Sequence, residues 1–208
     1  MKELLVATRN KKKFQEIKDL LSDLPLKIIS LFDYPDCPEI VEDGKTFKDN
    51  AIKKALAIAD HTGKMTMGED SGLEVKALGN RPGVYSARFS GEGATDKKNN
   101  TKLLRLLKGI PLRKRQARYR CCVAFADPKG IIDAVSGSCS GLISLSEKGK
   151  NGFGYDPLFL ISRYKKTFGE LDLTIKAKMS HRSRALKKFR KVIEKYLAGR
   201  LSEVHRSA

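Results

Sequence analysis

The side chains best suited to chemistry lie in short polar runs, several of them directly after an apolar stretch. Thr8-Arg9-Asn10-Lys11-Lys12-Lys13 follows KELLVA. If a strand ends there and a helix begins, the free N–H groups and positive dipole end of that helix make a natural anion site. Thr8 and Asn10 would add neutral donors and Lys13 a point charge. A polar cap with a solvated basic face is the plainer alternative, and the Walker pattern GxxxxGK[ST] is absent. Glu69-Asp70-Ser71-Gly72 ends a second apolar run. Adjacent carboxylates repel, which is tolerated where a cation sits between them or where one is raised in pKa to act as a base. Glu42 and Asp43, just before Gly44, offer further carboxylate; a solvated acidic turn is the alternative for both runs. Gly152-Phe153-Gly154-Tyr155-Asp156 sets aromatics beside a carboxylate. Aromatic faces stack on nucleobases and an aspartate accepts from base N–H groups, although core aromatics at a kinked strand end would read the same. Lys176, His181 and Arg182 precede the last apolar stripe, where donors could reach a phosphate or a base carbonyl.

The elements that must position these runs follow from periodicity. Residues 2–7 read as a buried strand. Phe14, Ile17, Leu20 and Leu21 mark a helix, and 26–31 a second strand. Thr46 is a plausible N-cap for a helix with Phe47, Ala51, Ala55, Ile58 and Ala59 on one stripe, ending near Gly63. Residues 64–68 predict a strand leading into the Glu69–Gly72 loop, and 79–94 a long loop. Thr95-Asp96 opens another helix. Two or three strands follow at about 117–126, 131–137 and 139–145, then a short one near 157–161. A final helix starts at Ser183, with a frayed tail beyond Gly199. Strands alternating with helices indicate an α/β fold around a mixed sheet.

Composition narrows the class. A chain of 208 residues with 40% apolar and 32% charged content is an ordinary globule. No apolar run approaches the roughly 18 residues of a membrane helix. The opening MKELLVATRNKKK lacks the features of a signal peptide, so the expected location is the cytoplasm. Cys37, Cys121, Cys122 and Cys139 form no CxxC and no metal spacing with His61, His181 or His205, and read as buried thiols. The net charge of +18 is uneven: 97–120 and 176–200 are strongly basic, whereas 33–50 is acidic. A basic protein with a local acidic cluster suits a phosphate substrate with a divalent cation; it also leaves a nucleic-acid-binding protein open.

The order of the runs carries more than any one of them. ATRNKKKFQEI at 7–17, EDGKTFKDNAIKKA at 42–55, EDSGLEV at 69–75, RPGVYSARFSGEGATDKKN at 81–99, GFGYDPLF at 152–159, KTFGEL at 166–171 and SHRSRAL at 180–186 together resemble the inosine/xanthosine triphosphate pyrophosphatase family over nearly the whole length. The resemblance implies one α/β domain over 1–208, with an elongated mixed central sheet flanked by helices and two lobes with a substrate cleft between them. It implies a homodimer acting with Mg²⁺ on the triphosphates of inosine, deoxyinosine and xanthosine, giving monophosphate and pyrophosphate. By the same resemblance Thr8, Arg9, Asn10, Lys11, Lys12, Lys13 and Lys54 would hold phosphates, and Ser71 would contact substrate. Asp70 would be general base and metal ligand, with Glu42 the second metal carboxylate. Phe153, Gly154, Tyr155 and Asp156 would form the base pocket. Lys176, His181 and Arg182 would close over it, with Arg182 donating to the base carbonyl. Arg9 stands where a glycine is common in that family. Partners beyond the nucleotide and a second copy, nucleic acid included, are not expected, since no RNA-recognition or zinc-finger signature is present.

Overall fold

The computed structural model describes residues 2–199; the expectation of a frayed tail falls outside them. The apolar run at the start forms β1 (Lys2–Val6), followed by α1 (Lys11–Leu20) and β2 (Leu26–Ser30). β1 pairs in parallel with β2 on one side and with β3 (Thr66–Val75) on the other. β4 (Gln116–Asp127), β5 (Gly130–Ile143), β6 (Phe159–Ile161) and β7 (Lys166–Thr167) complete a seven-stranded sheet in the order β2-β1-β3-β4-β5-β6-β7. The β5–β6 and β6–β7 pairs are antiparallel, so the sheet is mixed, as expected.

Two expectations about strands needed correction. The Glu69–Gly72 segment is not a loop after a strand: β3 runs straight through it to Val75. The strands anticipated at 131–137 and 139–145 are one long β5, because Gly137 to Cys139 continues the extended chain without a turn. The helices α2 (Phe47–Thr62) and α3 (Asp96–Leu106) begin where their caps require. In α2, Thr46 accepts from the Asp49 N–H while the Asp49 carboxylate accepts from the Thr46 N–H, a reciprocal capping box. The left-handed Gly63 (φ 66°) ends it. A short α4 (Leu173–Met179), not anticipated from periodicity, precedes α5 (His181–Leu197).

The chain divides into two units. Of the described residues, unit 1 holds 2–70, 121–137 and 182–199; unit 2 holds 71–120 and 138–181. β3, β4 and β5 each contribute residues to both. In unit 1, Leu4, Val6, Ile17, Leu21, Phe125 and Phe189 are buried together, with the Phe125 and Phe189 rings edge to face at 5.6 Å. Burial of each such side chain contributes about 1.5–3 kcal/mol. In unit 2, Tyr119, Phe159 and Phe168 pack with Leu73 and Leu103. Among the described residues no helix is long and apolar enough to cross a membrane.

Candidate active site

Successive residues of a strand point to opposite faces of the sheet, and β3 uses this to separate its two acids. Glu69 turns to one face, where its carboxylate accepts from Lys13 Nζ at 2.9 Å, Arg182 Nη2 at 3.1 Å and Cys121 Sγ at 3.2 Å. Arg182 also donates to Glu16 from Nη1 at 2.5 Å. The Glu69 side chain is fully buried and that of Arg182 nearly so. Burial alone would push the Glu69 carboxyl up, but Lys13 and Arg182 outweigh it and hold the group well below the usual carboxylate range. Glu69 is therefore ionised; its pairing with Lys13 and Arg182, on the face away from Asp70, is what the reading of adjacent carboxylates did not anticipate. Strand alternation was the signal that could have found it.

Asp70 turns to the other face and meets α2. Gly68 lets the strand lie against that helix, since a Cβ there would sit 2.1 Å from the Ala51 carbonyl oxygen. Asn50 and Lys54, four residues apart on one side of α2, then reach the carboxylate. Asn50 Nδ2 donates to Asp70 Oδ2 at 3.0 Å, and Lys54 Nζ lies 3.9 Å from Asp70 Oδ1. Lys54 also holds Glu42, at 3.0 Å. Burial pushes the Asp70 carboxyl up to about 6; Lys54 offsets part of this, while the charge of Glu42 adds to it. A buried carboxylate with that value can take a proton near neutral pH.

The Thr8–Lys13 run divides its work. Asn10 caps α1 by accepting from the Lys13 N–H at 3.1 Å, and Thr8 Oγ1 accepts from the Asn10 N–H at 3.2 Å. Arg9, exposed in part, donates to the Cys37 carbonyl at 2.8 Å and so ties this loop to the one before α2. Lys11 lies 5.8 Å over the Phe32 ring; Lys11 and Lys12 are exposed. Lys13, by contrast, is partly buried and reaches the buried carboxylate of Glu69.

Unit 2 gathers the other expected residues. Asp156 is buried, and its Oδ2 accepts from the Phe153 N–H at 2.9 Å and from Lys176 Nζ at 2.8 Å. The Lys176 ammonium also lies 4.9 Å from the centre of the Phe153 ring. Helix α3 clamps the neighbouring peptide: Asp96 accepts from the Gly154 N–H at 2.7 Å and Asn100 Nδ2 donates to the Gly154 carbonyl at 3.1 Å. Tyr155 is buried, and its hydroxyl donates to the Ser86 carbonyl at 2.8 Å. The His181 ring stacks on Tyr119, centroids 4.5 Å apart. Ser71 follows Asp70 in β3 as the first residue of this unit. Phe153 through Asp156 and Lys176 thus come together, as expected. Arg182, in unit 1, donates from Nη1 to Glu16 and from Nη2 to Glu69.

The class this defines is a mixed-sheet α/β protein with a raised buried aspartate beside lysines in unit 1 and, in unit 2, a buried lysine against an aromatic ring. The sequence profile of the Ham1 family matches residues 4–192, and the chain belongs to that family. It is 50% identical over 193 residues to a dITP/XTP pyrophosphatase of Desulforamulus reducens, covering 93% of this chain and 96% of that one. A dITP/XTP pyrophosphatase of Geobacter sulfurreducens is 50% identical over 186 residues (89% and 94%). The solved structure of a HAM1 protein from Coxiella burnetii superposes with a TM-score of 0.86 at 36% identity, covering 94% of this chain and all of the other.

Proposed function

We propose that this protein hydrolyses the triphosphates of deoxyinosine, inosine and xanthosine to the monophosphate and pyrophosphate. The observation that carries the reading is Asp70, a buried carboxylate pushed up to about 6 beside Lys54 and Glu42. In this reading Asp70 orients a water and takes its proton as the bond between the α and β phosphates breaks. Lys13 and Lys54 balance the charge of the phosphates, with Thr8, Asn10 and the start of α1 supplying neutral donors.

The donor set fits Mg²⁺. Glu42 and Asp70 offer oxygen alone, and among the described residues no larger His, Cys, Asp and Glu group exists to cage an ion. Mg²⁺ suits this arrangement because it is usually held by one or two carboxylates plus waters and substrate phosphate. When bound there, the cation would screen the charge of the triphosphate and of the departing pyrophosphate.

For the base, Phe153 would stack on the purine and Lys176 would donate to the carbonyl at position 6, where adenine carries an amino group. An ammonium has no acceptor to offer that amino group, so ATP would leave a buried donor mismatched. Arg182 belongs in this proposal with the charges around Glu69, because its terminal nitrogens are committed there. The likeness to the family further supports a two-lobed domain acting as a cytoplasmic homodimer. The nucleic-acid alternative draws less support: in the basic 97–120 stretch, Arg118 and Arg120 pair with Glu74, and Arg115 is buried on three carbonyls. The test is a panel of purine nucleoside triphosphates with Mg²⁺, reading pyrophosphate against orthophosphate. One pyrophosphate per dITP, ITP or XTP is expected; orthophosphate as the first product, or full activity in excess chelator, would overturn the reaction class.

A further inference from the structure

The reading of Glu42 and Asp70 as one divalent-cation site leaves a structural question, and the following inference rests on that reading. Asp70 is fixed in a strand, but Glu42 stands on a stretch without regular structure, its side chain 34% exposed. Two carboxylates bind one cation well only if their separation is set beforehand.

Asn50 has the geometry to set it. The residue is fully buried on α2. Its Nδ2 donates to Asp70 Oδ2 at 3.0 Å, and its Oδ1 accepts from the Gly44 N–H at 2.7 Å, two residues beyond Glu42. One amide thus holds the strand acid at one end and the loop of the second acid at the other. Because an amide has a distinct donor end and acceptor end, both bonds form together only in this orientation. Gly44 is matched to it: a Cβ there would meet Asn50 Oδ1 at 2.5 Å and Asp49 Cβ at 2.9 Å. Two ion pairs also join this loop to α2: Lys53 to Asp43 is solvent-exposed and contributes little, and Lys54 to Glu42 at 3.0 Å engages the carboxylate that a cation would claim, so it does not fix the loop once the cation is bound.

We infer that Asn50 is a positioning residue that locks the Glu42 loop to Asp70, so that the two carboxylates form a cation site before the nucleotide arrives. It touches neither substrate nor cation; it acts through the spacing of the two acids.

The test compares wild type, Asn50→Ala and Gly44→Ala by thermal melting of the nucleotide-free protein against Mg²⁺, and by dITP kinetics against Mg²⁺. In Asn50→Ala the Mg²⁺ concentration needed for half the melting shift, and that for half-maximal turnover, should both rise about tenfold or more. KM for dITP at saturating Mg²⁺ should stay within about threefold, a split that general loosening of the fold would not give. If Asn50→Ala does not fold, Gly44→Ala decides. Its backbone φ lies outside the left-handed region, so alanine is conformationally allowed, and it pushes on Asn50 Oδ1 from the loop side without altering α2. The same weakening in Gly44→Ala supports the inference. A wild-type Mg²⁺ dependence in a folded Asn50→Ala, or in Gly44→Ala where that decides, overturns it. Indifference of the wild type to Mg²⁺ in both measurements would overturn the parent reading, and this inference with it.

Discussion

Lys54 in unit 1 and Lys176 in unit 2 are both buried lysines placed near an aspartate, yet their surroundings differ in kind. Lys54 lies between the carboxylates of Glu42 and Asp70, nearer the first, in a group of acids and bases joined to one another. Lys176 pairs with the carboxylate of Asp156 and lies over the Phe153 ring, and the loop that carries both is pinned to α3 by hydrogen bonds of the Gly154 backbone. Charges that balance one another can be rearranged by an incoming cation or phosphate, because each ion has an alternative partner. An ion pair against a ring, with its loop fixed, has little freedom and suits discrimination by shape and hydrogen-bond polarity. Under the proposed function, the comparison implies that reaction and selectivity are built separately. Mutations in unit 1 should change the rate on every nucleotide, and mutations in unit 2 should change which nucleotide is preferred.

The largest expected effect tests the first half of that statement. Asp70→Asn should lower turnover on dITP and ATP alike by roughly 10²–10⁴-fold. It should also raise the stability of the metal-free protein near pH 7. The Asp70 carboxyl is held at about 6 in the folded chain against an ordinary value of 3.8, so the folded state binds more protons than the unfolded one between those values. Stability is therefore lost as pH rises through that window, and removing the charge should return on the order of 2 kcal/mol. Urea unfolding with chelator, beside steady-state rates, measures both; a variant both inactive and less stable would point to simple disruption.

Next, Glu69→Gln should destabilise the fold by about 3–5 kcal/mol, since Arg182 and Lys13 would be left buried with their common partner neutralised. The same pairing predicts acid sensitivity. Glu69 is held well below the usual carboxylate range, so its contribution is complete at neutral pH. It is lost only as pH falls through that depressed value. Chemical denaturation of wild type and variant across pH checks the sign. Arg182→Ala sharpens the boundary between the regions: equal losses with inosine triphosphate and ATP are expected. A loss confined to inosine triphosphate would move Arg182 into the base pocket.

Smaller effects belong to unit 2. Phe153→Ala should weaken both nucleotides by about 1–3 kcal/mol in kcat/KM, because stacking hardly distinguishes purines. Lys176→Met should instead narrow the preference for inosine triphosphate over ATP by about tenfold, the value of one mismatched buried donor. Competition between the two nucleotides in one reaction measures the ratio directly. An unchanged ratio would remove Lys176 from base selection.

The residues alone reached the mixed α/β architecture and the capped starts of α2 and α3, while the family resemblance pointed to Phe153 through Asp156 and Lys176 as one group. Caps and apolar stripes are decided by residues within a turn or two of each other, so they are legible along the chain. The sequence also singled out Glu42, Lys54 and Asp70, which the structure joins on one side of α2. What it did not reach lay in pairings across long separations. Glu69 meets Lys13 and Arg182 from 56 and 113 residues away, and Asn50 meets Asp70 across 20. Whether two neighbouring acids share a site or face apart depends on whether the chain there is strand or loop. β3 continues through Glu69 and Asp70, and sheet alternation sends them to opposite faces. The tertiary structure decided which of two adjacent carboxylates is ionised among cations and which is poised near neutral pH, because burial and the identity of the partners set that balance.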